Sequence, residues 1–154
     1  MIPMATHQPI LIEYIQKTIN PILEIGAGDS STRQIHFGTA NEILTIDNES
    51  EWIEKYSDLK DERHNFILYS DYKELFDKDN KKWGVVFIDA LTWEIREYAI
   101  RKYINSDYVI IHDSEWMFTH VISRDEFSKI YKYWKEFKDL GLPFTVVASN
   151  INEL

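Results

Sequence analysis

Residues 23–32 read LEIGAGDSST: an apolar residue, an acid, another apolar residue, glycines at 26 and 28, and a run of hydroxyl side chains. The pattern is that of a short strand running into a turn and then into a helix. Glycines let backbone approach a ligand closely. The following helix N-terminus offers free N–H groups and the positive end of a dipole. A dinucleotide loop of the form G-x-G-x-x-G uses a third glycine to pack helix on strand around a pyrophosphate. Here that third position is Ser31, and Asp29 sets a negative charge where a pyrophosphate would come. Glu24 adds another carboxylate just before Gly26. The loop disfavours NAD and suits a ligand with a cationic part.

Outward from this loop, strand and helix signals alternate. Ile10, Leu11, Tyr14, Ile15 and Ile19 fall near helical spacing, which predicts a helix over 8–19, closed by Pro21. PILEIG forms a first strand, and 31–37 a short helix capped by Ser30 or Ser31. Further strands are expected at 42–47, 66–70, 83–89, 107–113 and 143–149. Helices are expected at 50–60, 72–76, 93–104 (with Ile95, Tyr98, Ala99 and Tyr103 inward) and 124–139, the longest. Lys129, Lys132, Lys135 and Lys138 would be the solvated face of that last helix. This order predicts one α/β domain over residues 1–154, a doubly wound, mostly parallel Rossmann-like sheet with helices on both faces. Such sheets bind ligands beyond the carboxyl ends of their strands, where Gly26, Asp47, Asp71, Asp89 and Asp113 collect. The most irregular segment is 112–123, expected as a loop carrying Trp116, Met117, Phe118 and His120.

The chain's 154 residues suffice for a substantial core. Its net charge of −9 argues against nucleic acid as partner. Cysteine is absent, which removes disulfides, thiolate metal sites and thiol nucleophiles. The opening MIPMATHQ lacks a basic segment followed by an apolar run, so no signal peptide is expected. No apolar run approaches the ~18 residues of a membrane span. A soluble cytoplasmic protein with no membrane partner is the expectation.

With these residues in view, the chain resembles the class I S-adenosylmethionine (SAM)-dependent methyltransferases, over about residues 20–113. Their first motif is a hydrophobic residue, an acid, then x-G-x-G, which LEIGAG matches; the Ser-Ser-Thr that follows is similar to small O-methyltransferase variants. The resemblance implies that Glu24 helps place the methionine end of the cofactor, and that Gly26, Gly28 and Ser31 shape the loop. It implies that Asp47 grips the ribose hydroxyls, that Asp71 contacts the adenine amine, and that Asn48 and Tyr72 flank the adenosine.

Methyl transfer to a hydroxyl benefits from a base. Asp89 in FIDA and the His112–Asp113 pair in IIHDS are the candidates, at the ends of the fourth and fifth strands. The strand–Asp, strand–His–Asp order is similar to methyltransferases acting on sugars and other small hydroxylated molecules. Some relatives hold magnesium with such aspartates, and Asp89 with Asp113 offers two oxygen ligands. The family often has Gly-Asp-His soon after the first Asp, where this chain has Ala90-Leu91-Thr92-Trp93. His36, His64 and His120 are isolated and expected at the surface. Trp116, Met117 and Phe118 read equally as a lid over a small-molecule or carbohydrate acceptor or as packing, and the 112–123 segment also suits a homodimer contact. The alternatives are a catalytically inert SAM-fold binding or scaffold subunit and, less favoured, an NAD-dependent oxidoreductase. Without an Asp/Asn-Pro-Pro-aromatic motif after the fourth strand, adenine-N6 methylation is not expected.

Overall fold

The computed structural model describes residues 5–154, so the first four residues of the MIPMATHQ stretch lie outside it. The elements are α1 (Gln8–Ile15), β1 (Ile22–Ile25), α2 (Thr32–Gly38), β2 (Ile43–Asp47), α3 (Ser50–Lys55), β3 (His64–Leu68), α4 (Tyr72–Lys78), β4 (Val85–Ile88), α5 (Trp93–Lys102), β5 (Tyr108–His112), α6 (Ser114–His120), α7 (Arg124–Ile130), β6 (Tyr133–Phe137) and β7 (Thr145–Ser149). They build a seven-stranded sheet in the order β3-β2-β1-β4-β5-β7-β6. The first five strands in that order are parallel, and β7 runs antiparallel to both β5 and β6.

Side chains alternate across each strand, and both faces of the central strands are covered. On one face Ile22, Val85, Phe87, Ile110 and Val147 meet Leu11, Tyr14 and Ile15 of α1 and Ile35 of α2. On the other, Leu23, Ile25, Val86, Ile88, Val109 and Ile111 meet Phe76 of α4, Ile95, Ala99 and Ile100 of α5, Met117 of α6 and Phe127 of α7. Strands covered on both faces read as nearly unbroken apolar runs, as VVFI and YVIIH do.

Three expectations are corrected here. The helix expected over 124–139 ends at Ile130, and Tyr133–Phe137 is strand β6. The lysines at threes imitate helical spacing, but Tyr133, Trp134 and Phe137 favour strand, and β7 supplies the partner that turns this preference into a ladder. Lys129, Lys132, Lys135 and Lys138 are exposed, as expected, but not on one helix. The loop expected over 112–123 holds α6, which seats Met117 fully in the core and packs Phe118 against Phe127 and Trp134. The third strand begins at His64 rather than Phe66, and His64 is buried rather than at the surface. Among the described residues, no helix is long and apolar enough to cross a membrane.

Candidate active site

The turn after β1 is built around Glu24. Its carboxylate is fully buried and accepts hydrogen bonds from three hydroxyls: Ser31 at 2.6 Å and Thr32 at 3.1 Å on one oxygen, Thr45 at 2.7 Å on the other. Thr32 in turn accepts the Gly28 N–H at 2.9 Å. The hydroxyl run after the glycines thus ties the loop to the strand beneath it. Ser31 occupies the N-cap position of α2, but its hydroxyl goes to Glu24 instead of capping, and neither it nor Ser30 makes the expected side-chain cap. Burial pushes the Glu24 carboxyl up to about 7 against these hydrogen bonds, which lower it.

Gly26 must be glycine for two reasons. Its φ is +95°, and a Cβ there would lie 2.6 Å from the Asp89 carbonyl oxygen. This close approach brings the end of β1 against the end of β4. Asp47, nearly buried at the end of β2, reaches the same loop and accepts from the Ala27 N–H at 2.9 Å and from its own Glu49 N–H at 2.8 Å. An ionised carboxylate has about four acceptor positions, so Asp47 keeps capacity beyond these two. Asn48 beside it is exposed. Asp29 points outward to Lys55 at 2.6 Å and to the Tyr56 hydroxyl, which hold its carboxyl below the usual range.

Among the described residues, Asp71 and Tyr72 share no side-chain hydrogen bond with this cluster. Asp71 is the N-cap of α4 and accepts from the Lys73 and Glu74 N–H groups at 2.9 and 3.2 Å through one oxygen. Tyr72 is half-buried edge-on against Tyr98.

The second cluster lies at the ends of β4 and β5. His112 Nδ1 donates to Asp89 at 3.2 Å, and its Nε2 is buried with no hydrogen-bond partner among the described residues. Asp113 adopts the left-handed conformation, φ 56°, which Asp and Asn tolerate better than most residues. Arg96 of α5, buried beneath them, was missed in the sequence. Its guanidinium donates to the Ala90 carbonyl at 2.6 Å, the His112 carbonyl at 2.5 Å, Asp89 at 3.2 Å and Asp113 at 3.3 Å. Its signal was its register, since residues 96, 99, 100 and 103 share one helical face that is otherwise apolar. Burial alone would raise the Asp89 carboxyl; the hydrogen bond and charge of His112, with Arg96, outweigh it and hold the group below its usual value.

Asp89, His112 and Asp113 each offer a ligand atom, all within 4.8 Å of one another. They do not fit magnesium. Both carboxylates already contact a buried guanidinium, and a divalent ion would stand against that fixed charge. The expected Asp89–Asp113 magnesium site is therefore not supported.

His7 was also missed. It is buried and donates from Nε2 to the Ser30 carbonyl at 3.1 Å, with its ring edge-on to His112 at 4.2 Å between centroids. Burial first, then the neighbouring His112, lowers it to about 4. Beside Arg96, Trp93, His120 and Trp116 form a stack at centroid spacings of 5.7 and 5.5 Å, with Trp116 54% exposed.

No protein-family model matches the sequence, and no curated protein matches it. Solved structures do. An rRNA methylase from Streptococcus thermophilus superposes with a TM-score of 0.63 at 16% identity, over 99% of each chain. The N-methyltransferase NodS from Bradyrhizobium japonicum WM9 gives 0.62 at 11% identity over 92% of each. A spermidine synthase from Thermotoga maritima gives 0.64 at 13% identity, over 97% of this chain and 59% of that one. At these identities the likeness concerns the fold, and it agrees with the strand order and the antiparallel β7: the chain has the class I methyltransferase fold.

Proposed function

We propose that the protein is a SAM-dependent methyltransferase acting on a hydroxyl of a small molecule or sugar. The observation that carries this reading is the joint construction of one cradle from three strand ends. Glu24 anchors the glycine loop, Asp47 reaches that loop from β2, and Gly26 lies against the backbone of Asp89. The carboxylates of Glu24 and Asp47 hold the loop from beneath and beside it, which suits a sulfonium and an ammonium better than a pyrophosphate.

On this reading Asp47 takes the ribose hydroxyls with its remaining acceptor capacity. Asp71 would meet the adenine amine with the oxygen its helix cap leaves free, and Asn48 and Tyr72 would flank the ring. Methyl transfer is a displacement, so positioning supplies much of the rate. The acceptor would approach over Trp93 and Trp116, and its proton would pass to the Asp89–His112–Asp113 group. The two aspartates are the partly exposed members; His112, held by Asp89 in the Nδ1–H form, keeps its Nε2 lone pair free.

A second reading, a cofactor-binding domain without turnover, draws on Arg96, whose guanidinium contacts both aspartates and, with His112, holds Asp89 below its usual value and so weakens it as a base. Thermal shift with SAM, S-adenosylhomocysteine and NAD tests the cofactor, since a ligand that binds only the folded state raises the melting temperature. Stabilisation by the first two alone is expected; a larger shift with NAD refutes the reading. An acceptor screen with radiolabelled SAM then separates an enzyme from an inert domain.

A further inference from the structure

The side chains beneath the glycine loop form an unbroken row of hydrogen bonds from the interior towards the surface. Thr45 Oγ1 lies 2.7 Å from Glu24 Oε2 and 2.9 Å from His64 Nε2, and His64 Nδ1 lies 3.0 Å from His36 Nδ1. Glu24, Thr45 and His64 are fully buried, whereas His36 is half-buried near the end of α2.

The chemistry of the members fixes every proton. An ionised Glu24 can only accept, so the Thr45 hydroxyl points at it. The Thr45 oxygen must then accept from His64, which is therefore the Nε2–H tautomer. Its Nδ1 lone pair takes the Nδ1–H of His36, whose own Nε2 is left as a lone pair. A second complete arrangement exists. When a proton binds His36 Nε2, the Nδ1 proton of His36 passes to His64 Nδ1. The Nε2 proton of His64 passes to Thr45, and the Thr45 proton passes to Glu24 Oε2. One proton enters at His36 and one carboxyl O–H appears at Glu24. Every hydrogen bond survives with its direction reversed, and Ser31 and Thr32 continue to donate to the other oxygen.

We propose that His36, His64 and Thr45 form a proton relay that sets the charge of Glu24. Through that charge it sets the preference of the site for the sulfonium cofactor over its uncharged thioether product, a consequence that rests on the SAM reading above. The surroundings suit a relay. Burial holds Glu24 up to about 7, so both forms are populated near neutrality. Burial first, then His36 and Arg63, lowers His64 to about 4, so it passes a proton on without staying charged. The other charged or titratable groups facing the row are Asp89 on β4 and Tyr56 beyond α3 at the Glu24 end, and Arg63 and Asp61 at the histidine end. Asp47 on β2 is turned to the loop backbone instead.

The test is a pH titration of the ligand-free protein by NMR, following the Glu24 carboxyl carbon and the His64 ring nitrogens. Both should move with one midpoint, the His64 proton switching from Nε2 to Nδ1 as pH falls. Thr45→Ser should keep this coupling. Thr45→Val should raise the Glu24 midpoint and leave His64 in one tautomer throughout. A His64 tautomer that stays constant while Glu24 titrates in the wild type overturns the relay, and that measurement needs no variant. Calorimetry then compares SAM with S-adenosylhomocysteine from a unit above to a unit below the Glu24 midpoint. The preference for SAM should fall about tenfold, as the ionised fraction of Glu24 does over that span, and should be flat in Glu24→Gln. A flat preference in the wild type overturns the discrimination. Failure of either ligand to bind overturns the cofactor reading, while the NMR result still decides the relay.

Discussion

Arg96→Met keeps most of the aliphatic stem of a buried side chain and deletes its charge. The guanidinium bridges four acceptors: the carbonyls of Ala90 and His112 and the carboxylates of Asp89 and Asp113. Removing it leaves two carbonyls unpaired and two carboxylates facing each other without a cation. Breaking a buried ion pair from one side costs about 3–5 kcal/mol. For a chain of this size each kcal/mol moves the melting temperature by about 2–4 °C, so a loss of about 6–20 °C is expected. Urea denaturation at several pH values is the assay. The Asp89 carboxyl is held below its unfolded value, so its stabilisation is present above that value and lost as pH falls through the folded one. Wild type and variant should therefore differ most above about pH 5 and converge in more acid solution. Arg96→Lys should fall between them, because one ammonium cannot reach all four acceptors. An Arg96→Met protein within about 1 kcal/mol of wild type at neutral pH would refute the clamp, that being the scale of an exposed ion pair.

Asp47→Ala should weaken SAM binding by about one to two orders of magnitude, the scale of hydrogen bonds to a charged group; calorimetry on the folded variant checks this, and unchanged affinity would reduce Asp47 to a loop tie. Asp113→Asn fits the left-handed backbone at that position and should leave SAM affinity intact while abolishing methyl transfer to whichever acceptor the screen yields. Glu24→Gln bears on stability: the raised folded value of Glu24 means that the wild type loses roughly 3 kcal/mol as pH rises through the window between its unfolded value and about 7. The variant should lack that decline, and parallel stability profiles for the two proteins would show that Glu24 does not titrate in this window.

Where local pattern and tertiary packing agree, the sequence was informative. ILEI, ILTID, VVFI and YVIIH are strands because they are apolar enough to be covered on both faces, and the acids that close them fall at one sheet edge. The stretch after Ile130 was misread because only pairing with β7, the next strand along the chain, selects strand over helix there. The loop residues of the cradle were legible because glycine spacing and an acid in an apolar strand are local signals. Arg96 carried only its register on an apolar helical face as a signal, and His7 none; both look like surface residues until the fold sets carbonyls and aromatic rings around them. Asp71 shows the opposite limit: the helix-cap geometry is plain in the structure, and a contact with a ligand can only be added to it.

The two clusters meet at Gly26, and they handle charge in different ways. On the β2 side, Glu24 sits in a row of hydroxyls and imidazoles that remains fully hydrogen-bonded whether the carboxyl is ionised or neutral. On the β4 side, Arg96 supplies a cation that cannot be deprotonated in proteins; it contacts Asp89 and Asp113, and Asp89 is held below its usual value. A ligand seated over Gly26 would therefore lie between a carboxylate whose charge changes near neutrality and, on the other side, a fixed cation paired with Asp89 and Asp113. Methyl transfer from SAM converts a cationic cofactor into a neutral one, so only the group able to change its charge can adjust to that difference. That is a physical reason for an ionisable acid at Glu24, beneath the loop, and for a permanent counter-ion at Arg96, on the side where the acceptor would give up its proton.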